Sequence, residues 1–320
     1  MYFHNVLVFL KMNLRQNKDA NKITSNSIIP KIAVIADAGR GTRFLPTTKT
    51  VAKSLIPVGN KPILLWLLTE IRDSGIRDVL IVASKHNFQA LSNFVEYDKD
   101  LLDYLKDKNK EHLLEEYLQV IKDLNIEILI QPKIAGYGTG APLLTASPVI
   151  SNQPFAYLFG DDLVFWGHKP LLKQLIDAVE KYSSKDYAHK HLDIAGIGAV
   201  QSVKKEEVNK YGIVKIKDSL EDNIYTMDYV VEKPSIEEAP STLTSFGRFI
   251  FTGDFIYLLR EMKHKILNNN AELYIQPVMT ELAKNKDFLI LEGIDTKWCT
   301  TGDPKNLYFA WQEWFARFVH

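Results

Sequence analysis

Strand and helix patterns alternate along the chain from Lys31 to about Tyr182, and this order constrains the fold most strongly. Short β-branched and aromatic runs predict buried strands at 31–36, 78–83, 126–130 and 155–159, and apolar residues at helical spacing predict helices between them. Such alternation favours a doubly wound α/β fold, a mostly parallel sheet covered by helices on both faces.

From Asp193 onward the pattern becomes richer in strands. We expect four strands between residues 194 and 251, then helices at 254–262, 275–284 and 305–318, with a strand at 288–292 between the last two. No repeat or linker separates the two halves. We therefore predict one mixed α/β domain over residues 31–320, with an inserted β-rich lobe.

Glycines and acids directly follow several of the predicted strands. A glycine cluster follows the first strand, a second cluster comes shortly after the third, and Gly160-Asp161-Asp162 ends the fourth. Ligands of open α/β sheets bind beyond the carboxyl ends of the strands. The sequence thus predicts that these segments converge on one site.

Charge and composition narrow the classes of partner. The chain carries 39 basic and 39 acidic residues, a zero balance that disfavours a nucleic-acid or anionic-membrane partner. Phosphate binding must therefore be local. The single cysteine, Cys299, allows no internal disulfide and fits a cytoplasmic location.

Residues 1–30 are interpreted as a flexible N-terminal leader. The apolar stretch Tyr2–Leu10 is too short to span a bilayer and lacks the features of a signal peptide. Either the segment is an extension, or Met12 is the true start.

The first glycine cluster has the chemistry of a phosphate loop. Gly39 and Gly41 permit close backbone approach, so their N–H groups can form an anion nest, and Thr42 and Arg43 add side-chain donors. The spacing matches neither the Walker loop nor the dinucleotide fingerprint. By itself the segment is also compatible with a plain tight turn.

The longer pattern Gly39-x-Gly41-Thr42-Arg43-x-Leu45-Pro46-x-Thr48-Lys49, continued by Lys53, Pro57 and Lys61-Pro62, resembles the signature of sugar-1-phosphate nucleotidyltransferases. Within that family it is most similar to the bacterial UTP–glucose-1-phosphate uridylyltransferases. The resemblance extends from about Lys31 to Ala316. It implies a Rossmann-like nucleotidyltransferase fold with a sugar-binding β-rich lobe. The implied partners are a nucleoside triphosphate, expected to be UTP, and a sugar-1-phosphate, expected to be glucose-1-phosphate.

The resemblance also implies roles for individual residues. Arg43 would stabilise the departing pyrophosphate, Lys53 would contact phosphate, and Gln131 would read the base. The remaining nucleotide-binding positions are Ala38, Gly39, Gly41, Thr42, Gly136 and Gly138.

A second group of residues is implied for the metal and the sugar phosphate. Asp161 would hold Mg²⁺ against the α-phosphate. Glu232 would bind sugar hydroxyls, and Lys233 would grip the attacking phosphate. Asp162 and Gly247 complete the predicted sugar-phosphate site.

Three positions depart from the family pattern. Ala52 replaces a frequent proline, which would leave Lys53 less rigidly held. Asp37 stands where a small uncharged residue is usual, and would repel a triphosphate unless paired, for example with Arg40 or Mg²⁺. Thr300 lies where related enzymes carry a second metal-binding aspartate, so either Asp303 substitutes, or one carboxylate is missing, or activity is reduced.

Two alternative functions follow. The first is a thymidylyl- or other nucleotidyltransferase that uses a different sugar phosphate. The second is a catalytically weak relative that binds nucleotide sugars as a regulatory module. The chain is also a possible homo-oligomer, in which the charged stretch 100–124 is either a solvated helical face or an assembly contact.

Overall fold

The computed structural model describes residues 28–184, 192–267 and 272–319. Nearly all of the predicted leader, residues 1–27, lies outside the described residues. The strands are β1 Ile32–Asp37, β2 Pro57–Val58, β3 Lys61–Pro62, β4 Asp78–Ala83, β5 Asn125–Ile130, β6 Phe155–Phe159, β7 Asp162–Trp166, β8 Ile194–Ser202, β9 Gly212–Glu221, β10 Ile224–Glu232, β11 Leu243–Phe251, β12 Asp287–Glu292 and β13 Thr296–Thr300. The α-helices are α1 Ile63–Asp73, α2 Phe88–Val95, α3 Lys99–Asp107, α4 Glu115–Asp123, α5 Ala141–Ile150, α6 Leu171–Ser183, α7 Gly253–Leu267, α8 Gln276–Asn285 and α9 Pro304–Phe318.

Nine strands form one mixed sheet in the order β5-β4-β1-β6-β11-β8-β12-β10-β9. Strands β5, β4, β1 and β6 are parallel, which confirms the parallel half predicted from the alternating pattern. Alternate residues of β1 belong to different apolar cores: Ala33 and Ile35 to one, Ile32 and Val34 to the other. The first core also contains residues of α1 and the second contains residues of α5, so both faces of the sheet are covered.

The β-rich segment continues this sheet. Strand β11 pairs antiparallel with β6 on one side and with β8 on the other, which joins the two halves. The long β9–β10 hairpin forms the far edge, and the start of β9 also pairs with β11. The strands that were predicted as a lobe therefore extend the parallel half of the sheet through β11.

A two-stranded ribbon was not indicated by the sequence pattern. Strand β7 begins only two residues after β6 ends, and it pairs antiparallel with β13. Thr300 lies opposite Asp162 in this ribbon. The ribbon thereby brings the segment around residue 300 beside the acids that follow β6.

The predicted helical stretch 100–124 consists of two helices. Helix α3 ends at Asp107, a short 3₁₀ turn occupies Glu111–Leu113, and α4 begins at Glu115. Asn109 has a left-handed backbone, with φ 54°, which is incompatible with a continuous helix. No helix among the described residues combines the length and apolar character needed to cross a membrane.

A buried ion pair ties α1 to β11. Glu70 and Arg248 are both about 1% exposed, and Arg248 Nη2 lies 2.8 Å from Glu70 Oε2. The other carboxylate oxygen of Glu70 accepts a bond from the Leu172 amide at the start of α6. Arg248 also donates to the carbonyl oxygens of Gly247 and Asp162. The pair therefore links two helices to Asp162 at the start of β7 and to Gly247 in the middle of β11.

Candidate active site

The segments that follow β1, β5 and β6 meet around a cavity of about 280 Å³. The cavity lies beyond the carboxyl ends of the parallel strands, where a ligand of this fold class is expected. Its lining includes Asp37, Ala38, Gly39, Lys53, Gln131, Gly138, Gly160, Asp161, Glu272 and Tyr274. The first and second glycine loops and Asp161 are thus brought together, as the strand order predicted.

The first glycine loop is folded into tight turns and anchored from outside. Gly41 has a φ of 59°, and a Cβ there would lie 2.9 Å from Thr48 Cγ2, so only glycine fits. The Thr48 hydroxyl donates to the Gly41 carbonyl at 2.8 Å. The Asn87 amide donates to the carbonyls of Asp37 and Gly39 at 3.1 Å each. The loop is therefore held in one conformation.

Lys53 and Asp161 form a direct ion pair at the floor of the cavity. Burial raises the pKa of Asp161, but the Lys53 ammonium, hydrogen bonds and the more distant Arg43 outweigh this effect and lower it. The Thr301 amide and hydroxyl both donate to the Asp161 carbonyl, at 2.7 and 2.8 Å. The carboxylate is thus ionised and its backbone is fixed.

Arg43 approaches the same point from the glycine loop. A Cβ on Gly302 would lie 3.4 Å from Arg43 Nη1, from Asp161 Oδ2 and from Thr300 Oγ1. Arg43 and Asp161, which are far from Gly302 in the chain, therefore lie close to it, together with the neighbouring Thr300. Arg43 is exposed, as a side chain must be to reach a mobile phosphate group.

The acids at this site do not gather into a metal-binding cluster within the described residues. Across the described ranges no three His, Cys, Asp or Glu side chains converge to form a metal site without substrate. Asp303 caps α9: its carboxylate accepts from the Asn306 amide at 3.0 Å and from the Asn306 side chain at 2.7 Å. Asp161 remains, ionised and facing the cavity. A single carboxylate completed by phosphate oxygens and water suits Mg²⁺.

Asp37 is buried, 3% exposed, at the end of β1. The partner of its carboxylate is the Ser54 hydroxyl, 2.6 Å from Oδ2, whereas Arg40, named above as a possible partner, is exposed. Burial, and to a smaller extent the charge on Asp161, raise the pKa of Asp37 to about 7, against the opposing effects of Ser54 and Lys53.

This raised pKa predicts a pH-dependent stability. Asp37 binds its proton more tightly in the folded than in the unfolded state, so its ionisation costs stability increasingly from about pH 4 to pH 7. The size of the pKa shift limits this cost in stability to about 4 kcal/mol. The gain from asparagine is smaller than that limit, because a neutral side chain gives up the attraction of the ionised carboxylate to Lys53. We expect Asp37→Asn to unfold with a free energy roughly 1–3 kcal/mol higher than the parent at pH 8, with no gain near pH 4. Urea denaturation in EDTA at both pH values measures this; an equal gain at both would contradict it.

The second glycine loop is held by the segment before α8. Gly138 has a φ of 96°, and a Cβ there would lie 2.6 Å from the Leu273 carbonyl oxygen. The Leu273 amide donates to the Tyr137 carbonyl at 2.8 Å, and the Gly140 amide donates to the Leu273 carbonyl at 2.7 Å. This contact places Glu272 and Tyr274 in the cavity wall, two residues not predicted as site residues. The sequence signal for them was the segment Glu272-Leu273-Tyr274-Ile275-Gln276, which resembles the family's Glu-Ile-Gln-Leu-Thr helix start but is offset by inserted residues.

Gln131 follows β5 and faces this loop. Its Nε2 donates to the Gly136 carbonyl at 3.1 Å. Its Oε1 is buried and has no hydrogen-bond partner within the described part of the chain. A buried amide oxygen without a partner is costly, so this acceptor is available to an N–H donor of a ligand.

Glu232 is the last residue of β10, and Lys233, which follows it, lies near Tyr274 of the cavity wall. Lys233 has a left-handed backbone, φ 50°, and its Nζ lies 3.5 Å from Glu232 Oε1 and 5.4 Å from the Tyr274 ring centroid. Burial raises the pKa of Glu232, and Lys233 opposes the rise. Considering only the described residues, the buried Glu232 Oε2 has no donor. The pair thus offers one free acceptor and one half-exposed cation.

Asp162 and Gly247 are coupled to each other. The buried Asp162 carboxylate accepts from the Gly247 amide at 2.7 Å. Burial, and next the charge on Asp161, raise the pKa of Asp162 to about 6. A Cβ on Gly247 would lie 2.4 Å from Phe159 Cβ, so β11 packs closely against the end of β6 at this point. Their contact with a sugar phosphate stays a prediction, and the observed geometry gives Asp162 the task of orienting the Gly247 backbone.

Comparison with known proteins identifies the family of this chain. The Nucleotidyl transferase family model matches residues 32–315. The chain is 34% identical over 263 residues to the UTP–glucose-1-phosphate uridylyltransferase YngB of Bacillus subtilis (strain 168), covering 82% of each chain. It is 34% identical over 232 residues to the UTP–glucose-1-phosphate uridylyltransferase of Streptococcus pneumoniae serotype 4, covering 72% of this chain and 73% of that one.

Solved structures show the same fold. A UDP-glucose pyrophosphorylase complexed with UDP-glucose superimposes with a TM-score of 0.77 at 28% identity, covering 90% of this chain and 99% of that chain. A UTP-bound enzyme from Acinetobacter baumannii gives a TM-score of 0.75 at 24% identity, with coverage of 91% and 95%. The matched family model spans both glycine loops, Asp161 and the Glu232-Lys233 pair. The chain therefore belongs to the nucleotidyl transferase family.

Proposed function

We propose that this protein transfers a uridylyl group from UTP to glucose-1-phosphate, giving UDP-glucose and pyrophosphate, in the cytoplasm. One observation carries the proposal: the Lys53–Asp161 pair lines the strand-end cavity with Arg43 near it, and Lys233 of the Glu232-Lys233 pair lies 5.4 Å from the ring of Tyr274, another lining residue. Two anionic substrates need cations on both sides of the bond that forms. The names of the relatives, and the UDP-glucose and UTP in the solved structures, support the choice of substrates.

The reaction needs positioning and charge neutralisation. A phosphate oxygen of the sugar phosphate attacks the α-phosphorus, and the bond from that phosphorus to the bridging oxygen of the β-phosphate breaks. Pyrophosphate leaves with the bonding electrons, so no protein base or covalent intermediate is required. Lys233 would hold the attacking phosphate, Lys53 the α-phosphate and Arg43 the leaving group.

Mg²⁺ is the metal we propose for this site. Asp161 would hold it, and the bound ion would neutralise charge on the α-phosphate. Gln131 Oε1 would accept the N3–H of uracil, because it is the buried acceptor without a partner beside the second glycine loop. Glu232 Oε2 would accept hydrogen bonds from sugar hydroxyls, because it too is buried without a donor among the described residues.

A pyrophosphate-release panel tests the function. Four nucleoside triphosphates are combined with several sugar-1-phosphates in the presence of Mg²⁺, and we expect the highest kcat/KM for UTP with glucose-1-phosphate. Preference for thymidine triphosphate would favour the alternative thymidylyltransferase. Tight binding of UDP-glucose without pyrophosphate release from any pair would favour the regulatory relative.

Lys233→Ala is expected to slow turnover at least about tenfold and to leave UTP binding nearly unchanged, because the lost charge would grip the sugar phosphate. Steady-state kinetics and UTP calorimetry measure the two effects. Lys217, an exposed lysine of β9, supplies the matched control Lys217→Ala. Turnover at the parent rate in Lys233→Ala would show that this role is wrong.

We also propose a homo-oligomer assembled through α9. Tyr308, Trp311, Phe315 and Phe318 follow one face of this helix and are 37–59% exposed. A half-exposed aromatic side chain leaves roughly 100 Å² of its surface in contact with solvent. Together the four side chains therefore supply about half of the roughly 800 Å² that each partner buries in a standard interface. We expect light scattering to show an oligomer that Phe315→Glu dissociates, whereas Leu113→Glu, a change of another exposed residue, does not. A monomeric parent would contradict this assembly.

A further inference from the structure

We propose that Asp37 and Ser54 are positioning residues whose buried hydrogen bond holds Lys53 in its catalytic place. The inference rests on the proposed function, because it assigns a task to the residues behind Lys53. It concerns the two departures that distinguish this chain from its family's pattern near the loop, Asp37 and Ala52.

The bond joins a short turn to the sheet. Ser54 belongs to the 3₁₀ turn Lys53–Leu55 and is 0% exposed. Its hydroxyl donates to Asp37 Oδ2 at 2.6 Å. Because Ser54 follows Lys53 directly, whatever holds the serine also sets the origin of the lysine side chain.

Asp37 is a rigid anchor. It is the last residue of β1, a strand paired with β4 on one side and β6 on the other. Its carbonyl accepts from the buried Asn87 side chain. Strand β6 leads directly to Asp161, the ion partner of Lys53, so anchor and target belong to adjacent strands.

The turn is otherwise held by the burial of Ala52 and Ile56, by the Ile63 amide, which donates to the Ile56 carbonyl at 3.1 Å, and by its own backbone bonds. Its backbone bonds, Leu55 to Ala52 and Ile56 to Lys53, close the turn on itself. Ala52 has φ −61°, the value that a proline ring would impose, but no ring is present to enforce it. A side-chain bond two residues later supplies the missing restraint.

Positioning is worth a large factor in such a site. A lysine has four rotatable side-chain bonds, and an error of about 1 Å at the reacting group can cost up to about 100-fold in rate. Asp37 belongs to the cavity lining but is only 3% exposed, so we expect its contribution to come through Ser54 and Lys53.

A double-mutant cycle tests the coupling. We expect Ser54→Ala to lower kcat about tenfold in the parent and less than about twofold in a Lys53→Ala background, because its effect is transmitted through Lys53. Asp37→Ala should match Ser54→Ala. Asp37→Asn, whose amide oxygen still accepts from Ser54, should keep most of the turnover. If the Lys53→Ala rate falls to background, the same cycle is measured from the Kd of UTP.

Controls separate this role from plain stability and from metal binding. Ser74→Ala removes a buried hydroxyl without a partner in the described ranges and should change neither kcat nor UTP affinity. Equal losses from Ser54→Ala in both backgrounds would overturn the inference. A shift of the half-saturating Mn²⁺ concentration in Asp37→Asn but not in Ser54→Ala would also overturn it, since Asp37 would then be a ligand. A parent inactive with every substrate pair would instead overturn the proposed function.

Discussion

Asp161→Asn is expected to lower kcat by at least about 100-fold, with only a small change in the free energy of unfolding. The substitution keeps the size of the side chain but removes the ionised carboxylate that pairs with Lys53 and lies near Arg43. The proposed Mg²⁺ would then lose its protein ligand, and Lys53 would lose its ion-pair partner. Removing one preorganised charge from such a site typically costs a factor of 100 to 1,000 in rate.

The measurement is pyrophosphate release at saturating substrates over a range of Mg²⁺ concentrations. Excess Mg²⁺ should recover only part of the rate, because the orientation of Lys53 is not restored. Asp228→Asn changes an exposed aspartate of β10 and is the matched control. Full recovery at high Mg²⁺ would mean that Asp161 binds metal and does nothing for Lys53, and an unchanged rate would remove Asp161 from the site altogether.

Glu70→Ala is expected to lower the free energy of unfolding by about 3–5 kcal/mol, the usual cost of leaving one member of a buried ion pair without its partner. Arg248 would remain 1% exposed with an uncompensated charge, and the Leu172 amide would lose its acceptor. Because Arg248 also binds the Asp162 and Gly247 carbonyls, turnover should fall as well.

The double variant Glu70→Leu with Arg248→Met should be more stable than either single variant, because it removes both charges and fills the space with apolar groups. Urea unfolding monitored by tryptophan fluorescence gives the comparison. Glu281→Ala breaks the surface pair with Lys284 and should change stability by less than about 1 kcal/mol. Additive losses in the double variant would show that the two residues act independently.

Much of the site could be predicted because the signals are local. The strand that ends at Asp37, the glycine loop and the Gly160-Asp161 pair each combine a short apolar run with a following polar turn. Parallel strands bring such turns to one edge of a sheet. The same dependence on local signals explains why β7 was missed. Only two residues, Gly160 and Asp161, separate it from β6, and this turn is too short to indicate the start of a second strand.

The sequence by itself determined the α/β alternation, the family and the side chains that carry charge, since these depend on residue type and on spacing along a continuous segment. Only the tertiary structure decided which partners those side chains have. Ser54 donates a hydrogen bond to the buried Asp37, Thr301 and Gly302 reach Asp161 through the β7–β13 ribbon, and Asp303 caps a helix. Such contacts join residues far apart in the chain, and they follow from strand order and from the need to pair every buried polar group, neither of which has a local period.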